Sequence, residues 1–418
     1  MSRQVLCVSS TSAPTAEPAK CYQSRESDVA DGAGIDLDVR SPALVRFRKR
    51  MATISRLTKM LSRVLASLLL PALAAPPAGA CPASFFDPAA PGTVYVRYGS
   101  GGLFKSTDNG GTWTETGRFA GYPGDLVFDP LNPRTLYAVS GSGVAKSLDA
   151  GAKWVPAGRV KDEVIAAITI DPRTPRILFA SASHFNDPAP RRSLVYKSVD
   201  AGARWTLGNA GLPNGGVWVI RVSPHNSNVV YTGTNSGVFK TTDSGKRWRP
   251  SNAGIADRTI DRIVIDLEAP ETLYVTASRK SDWGVFKSTN GGRTWTDASA
   301  GLPGIELMDL VGEPLRPEVL YAASRGRGLY RTTDAGARWT RVALPNEYPC
   351  AVAVSPHDAR VILVGTIGDS REGYSSLLYK SVDGGTRWEI LGQAQGLPSI
   401  STIADRRGGV AQSVVASR

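Results

Sequence analysis

Two carboxylates, Asp125 and Asp309, occupy matching positions of a repeated unit in this 418-residue chain. Counting back from the turn that ends the same stretch of each unit aligns them with Ala167, Val219, Arg262 and Ala351. A positioned pair of carboxylates is what glycoside hydrolysis requires, one as acid and one as base or nucleophile. A mixed ring of Asp, Ala, Val and Arg is also what drift between repeats produces, so a catalytic and a structural reading both stand. His225 and His357 lie in matching Ser-Pro-His turns, which repeat ancestry explains better than metal ligation. Nothing matches a zincin, nucleophile-elbow, P-loop or dinucleotide fingerprint. No metal and no cofactor is expected.

The elements that must carry these residues are set by a second pattern. Ser/Thr-x-Asp-x-Gly-x-x-Trp occurs seven times, its acidic position being Asp108, Asp149, Asp200, Asp243, Asn290, Asp334 and Asp383. The box tryptophans recur at spacings of 41 to 51 residues, and seven of the nine tryptophans belong to boxes. Each box reads as a tight turn: Asp accepts backbone N–H bonds, Gly takes a positive φ, and Trp packs between neighbouring sheets. Around it lie an apolar run ending in a Pro-marked turn, a β-rich run with an aromatic in register (Leu363 in the seventh unit), and a short run ending in Lys or Arg. Each unit thus predicts four short antiparallel strands, A to D, with no helical periodicity after residue 80.

Over residues 82–404 these boxes resemble the Asp-box (BNR) repeat of β-propellers. The Asp-Pro turns, the Leu136-Tyr137-Ala138 strand and the Asn209–Pro213 loop look most like the photosystem II assembly-factor propellers and their bacterial relatives. More distantly, the pattern is similar to sortilin, sialidase and xyloglucanase-type propellers. The resemblance implies an all-β, seven-bladed propeller of four-stranded antiparallel blades, with the boxes structural. It also implies a protein partner held by the propeller. The sialidase likeness lacks its Arg-Ile-Pro tripeptide; Arg176-Ile177-Leu178 comes nearest. Xyloglucanase-type enzymes cleave between two propellers, whereas the boxes here predict one. Closure is open: strand A of blade 1 can come from residues 83–86 or from 399–403.

In such a blade the A–B and C–D turns share one face, and the B–C and D–A connections the other. The first set varies little between units. The second varies sharply and carries the binding candidates: Phe185, Arg191 and Arg192 in an insertion, Trp283, Tyr374, and Trp218 from a D–A loop, with Arg262 near the channel mouth. Irregular loops on a rigid scaffold are where binding usually resides. The cations before the boxes (Lys105, Lys146, Lys197, Lys240, Lys287, Arg331, Lys380) read either as a basic ring or as solvated strand ends.

Residues 1–50 read as a disordered leader or a mis-assigned start, and 51–80 as a signal peptide: basic residues, the apolar run Val64–Ala75, then Ala78-Gly79-Ala80. The propeller occupies 81–418. Residues 1–80 hold 11 of the 49 basic and 6 of the 37 acidic residues, so the formal charge of +12 falls to +7 beyond them. That balance does not call for nucleic acid. Cys81 would be the first mature residue: an acylated lipid anchor, a disulfide partner of Cys350, or a free thiol. The expectation is an extracytoplasmic, monomeric, non-catalytic scaffold for a protein partner; the alternative is a glycoside hydrolase or glycan binder. For a scaffold, Asp309→Asn should be silent.

Overall fold

The computed structural model describes residues 6–7, 21–22, 81–98, 102–116, 123–140, 143–160, 164–183, 193–367 and 376–392. The proposed signal segment, the binding candidates Phe185, Arg191, Arg192 and Tyr374, and residues 399–403 lie outside these. The chain divides into two units, residues 1–74 and 75–418. In the first, Leu6–Cys7 pairs antiparallel with Cys21–Tyr22.

The second unit contains seven four-stranded antiparallel sheets, each built from four consecutive strands. Blade 1 comprises Ala83–Phe86, Val94–Tyr98, Gly102–Ser106 and Thr114–Glu115, strands A to D in order. Strand A of blades 2 to 7 is Pro123–Phe128, Val164–Ile170, Val217–Ser223, Thr259–Ile265, Leu307–Glu313 and Pro349–Val354. The first strand therefore comes from residues 83–86, the earlier of the two expected sources.

Short β-rich runs flanked by Gly- and Pro-marked turns leave each sheet with two apolar faces, and stacking neighbours is the way to bury both. Among the described residues, seven apolar clusters each join adjacent blades. Phe86, Val94, Val96 and Trp113 of blade 1 meet Ala353, Leu363, Leu378 and Leu391 of blade 7, so the ring closes. Cys81 and Cys350 form a disulfide across that same seam, with Cα atoms 6.2 Å apart. The pairing excludes an acylated or free Cys81.

The boxes hydrogen-bond as their sequence implies. In box 3 the Ser198 hydroxyl donates to Asp200 Oδ1 at 2.8 Å and accepts from the Gly202 N–H at 2.9 Å. Asp200 Oδ1 also accepts the Arg204 N–H at 2.9 Å. Asn290 makes the same two acceptor bonds, from the Ser288 hydroxyl and the Thr294 N–H. The following residue takes a left-handed φ even when it is not glycine, as at Ala201 (58°) and Ala335 (57°). The Gly after it has φ near 90° and also lies tight against the preceding blade. A Cβ on Gly245 would come within 2.9 Å of Phe179 Cε1. The indole N–H of Trp205, Trp248, Trp295 and Trp339 donates to a carbonyl of the preceding blade, at 2.8 to 3.0 Å.

The box cations form no free basic ring. Lys240 Nζ sits 5.0 Å from the Tyr231 ring centroid and donates to Gly291 O in the next blade at 3.0 Å. Tyr231 Oη donates to the same carbonyl at 3.2 Å. Lys197 and Lys287 repeat the bond to the next blade, at Ser244 O and Ala335 O. The strand-end position is half-buried, so its charge is spent locally between blades.

Candidate functional site

Strand A is the innermost strand of every blade, and its inner edge has no further strand to pair with. Six blades carry a one-residue bulge near its start: it falls between Pro123 and Leu126 in blade 2, and in blades 3 to 7 the extra residues are Ala166, Trp218, Asp261, Met308 and Cys350. A bulge re-aims side chains at the rim of a sheet. Trp218 is thus a strand residue at the bulge rather than part of the preceding loop, and it is half-buried. The sequence carries no signal for a single extra residue. Aligning the units from the Pro turn bypassed it, and the resulting ring is matched in register.

That ring is buried. Asp309 is 0% exposed and Asp125 2% exposed. Asp309 Oδ1 accepts Arg262 Nε from blade 5 at 3.0 Å and its own neighbour's Leu310 N–H at 3.0 Å. Its Oδ2 accepts the Val352 N–H of blade 7 at 2.9 Å. Asp125 Oδ2 makes the corresponding bond to the Ile168 N–H of blade 3, at 3.4 Å. Each carboxylate therefore caps an edge N–H of the next innermost strand. Arg262 donates further to Asp261 O and Met308 O and is itself 2% exposed, which leaves a partner no access to it.

Burial pushes the Asp125 carboxyl up to about 6, against the opposing pull of Arg221, Arg262, the Ile168 N–H and Arg97. Burial likewise lowers Arg221, which Asp125 partly restores. Asp261, beside Arg262, was not singled out from sequence. Burial raises its carboxyl above the usual range; Arg262 opposes that and Glu306 adds to it. Glu306 pairs with Arg325 at 2.7 Å. The signal for Asp261 lay in its being next to an aligned ring residue, one step out of phase.

At the variable-loop end, Trp283 opens strand C of blade 5 (Asp282–Ser288) and pairs with Ser278 of strand B. Arg258 bonds Asp282 at 2.6 Å and stacks 4.9 Å from the Phe286 centroid. Tyr348 immediately precedes strand A of blade 7 and is half-buried. The structure thus gathers Trp218, Asp261, Glu306, Met308 and Tyr348 at or beside the starts of strands A of blades 4 to 7, with Trp283 farther out on the same face. At the opposite, Pro-turn end the channel holds a cavity of about 80 Å³, lined chiefly by Ile168, Ile170, Arg221, Ile263, Val264 and Ile265. Among the described residues no group of three or more His, Cys, Asp or Glu is placed to hold a metal ion.

Comparison with known proteins gives likenesses of the same kind. A family model described as Sortilin-Vps10 (sortilin, neurotensin receptor 3) matches residues 283–397. A xyloglucanase of Paenibacillus sp is 30% identical over 29% of this chain and 15% of its own length. The solved GH74 xyloglucanase of Xanthomonas campestris superposes with a TM-score of 0.58 at 16% identity, covering 74% of this chain and 53% of that one. A structure of YCF48 bound to D1 peptide gives a TM-score of 0.49 at 17% identity, over 66% of this chain and 84% of that one. The chain spans 15% of the curated xyloglucanase's length and about half that of the solved one. What the solved xyloglucanase shares with it is the propeller fold.

Proposed function

We propose that this propeller is a non-catalytic scaffold that holds a protein partner on its variable-loop face. The observation that carries this reading is the fate of Asp125 and Asp309. Hydrolysis needs carboxylates that reach the substrate, and these two are buried and bonded to the next blade. Three partly exposed aromatics, Trp218, Trp283 and Tyr348, instead lie at the loop end. Aromatic anchors of this kind carry most of the energy in protein interfaces. The Cys81–Cys350 disulfide favours an oxidising, extracytoplasmic compartment, in keeping with a signal segment at 51–80, a propeller from 81 onward and a monomeric state.

The test is capture of partners from an envelope extract by the full chain and by Trp218→Ala and Trp283→Ala variants. A specific protein lost from both variants, with melting unchanged, supports the scaffold. A second reading has its own support in the 30% identical xyloglucanase segment. In it the same aromatic face binds a glycan, and any hydrolysis uses Asp261 and Glu306 rather than the buried ring. Binding of xyloglucan oligosaccharides without a protein partner favours that reading.

A further inference from the structure

The Pro-turn and Asp-box face carries an unevenness that the repeat itself exposes. The residue between Ser/Thr and Asp of each box is Thr107, Thr242, Thr289 and Thr333 in blades 1, 4, 5 and 6. It is Leu148 (62% exposed) and Val199 (55%) in the adjacent blades 2 and 3, and Val382 (57%) in blade 7. Leu131, in the A–B turn of blade 2, is 71% exposed. Five of the seven large apolar side chains most exposed among the described residues fall in these two blades; the other two, Val382 and Ile390, are in blade 7. Scattered exposed apolar residues need no explanation; Val155 and Leu207 lie on outer strands D, whereas Leu131, Leu148 and Val199 stand together on neighbouring turns of one face.

These turns form one stitched surface. The Ala150 N–H of box 2 donates to Arg134 O in its A–B turn, and the Ala201 N–H of box 3 to Arg176 O. Tyr137 of blade 2 donates to Ala201 O of blade 3. The half-exposed carboxylates of this surface each bond to their own turn. Asp129 Oδ1 folds back onto the Leu131 and Asn132 N–H groups, Asp149 Oδ1 onto Ser147 and Lys153 N, and Asp200 Oδ1 onto Ser198 and Arg204 N. Asp171 is fully buried. The side chains of Arg134, Lys153, Arg173, Arg176 and Arg204 belong to exposed residues. Arg173 and Arg176 donate to His225 O and Val199 O, whereas the exposed Arg134, Lys153 and Arg204 stand around the protruding apolar tips.

We propose that this face of blades 2 and 3 docks on an anionic lipid surface, Leu131, Leu148 and Val199 entering the headgroup layer while Arg134, Lys153 and Arg204 meet lipid phosphates. Apolar tips flanked by Lys and Arg are the pattern of reversible interfacial binding. No helix among the described residues is long and apolar enough to cross a membrane, so the contact proposed is with the surface. The variable-loop face points the opposite way, free to hold its partner.

The test is co-sedimentation of the full chain with phosphatidylcholine vesicles, with and without about 30% phosphatidylglycerol. Binding should be about tenfold stronger on the anionic vesicles and fall steeply with salt. Two double variants borrow residues the sister boxes already use, so folding is not at issue: Leu148→Thr with Val199→Thr, and Lys153→Thr with Arg204→Thr. Each should lower anionic-vesicle binding about tenfold, whereas Trp218→Ala should not change it. Equal binding to neutral and anionic vesicles would overturn the proposal. So would undiminished binding by both double variants, which would assign vesicle binding to another part of the chain. Partner capture is read separately, so failure of one leaves the other standing.

Discussion

Arg262 and Asp309 form a buried ion pair, Nε to Oδ1 at 3.0 Å, between the innermost strands of blades 5 and 6. The second carboxylate oxygen of Asp309 reaches blade 7 through the Val352 N–H. One side chain therefore ties three consecutive blades at the wall of the channel.

Asp309→Asn should consequently be destabilising rather than silent, reversing the expectation drawn from sequence. It leaves Arg262 buried without its countercharge, a loss on the order of 3–5 kcal/mol in urea unfolding. The double variant Arg262→Met with Asp309→Leu should lose much less than the sum of the single variants. Additive losses in the cycle would rule out a coupled pair.

Asp125 should behave in the opposite sense. Its carboxyl is raised from 3.8 to about 6, so the folded state binds the proton more tightly than the unfolded chain. The stability this contributes is present below pH 4 and is lost as pH rises through 6. Asp125→Asn should remove that decline, on the order of 2–3 kcal/mol, and cost little at pH 7. Chemical unfolding of both proteins from pH 4 to 7 measures it; parallel curves would contradict it.

The box carboxylates govern the acid limb. Hydrogen bonds hold Asp108 and Asp383 down to about 2, and Asp149, Asp200, Asp243 and Asp334 below the usual value of 3.8. Their contribution is present above pH 4 and disappears as pH falls toward 2. Asp200→Asn should fold normally, because Asn290 already makes the equivalent acceptor bonds. Its acid unfolding midpoint should lie lower than that of the wild type. An unchanged midpoint would remove the boxes from the acid transition.

The blade 7–blade 1 seam should be the point where the ring opens. The Cys81–Cys350 bridge joins residues 269 apart, and Cys350→Ser should cost about 2–5 kcal/mol. Gly365→Ala is a sharper probe, since a Cβ there would lie 1.8 Å from Pro82 O. That variant should melt far lower and form the disulfide incompletely, as read by thiol titration. Full disulfide formation with an unchanged melting temperature would place closure elsewhere.

The sequence alone determined the blade count, the strand order and the hydrogen-bonding role of each box. All three are local: a box closes its own turn within four residues, and an aromatic recurs on strand B in six of the seven units, Leu363 taking its place in the seventh. Even the alignment of Asp125 with Asp309 was legible, because it was counted from the nearest turn. What those aligned residues do was decided by tertiary structure. The Arg262–Asp309 ion pair, the bond from Lys240 to Gly291 O and the Cys81–Cys350 closure all join different blades. No repeat pattern encodes which neighbour a side chain will meet. The bulge that displaces Trp218 into strand A is a single extra residue, and it becomes visible only when two strands are laid side by side. A periodic sequence specifies the unit; stacking the units decides which of its polar groups are consumed between blades and which are left facing solvent.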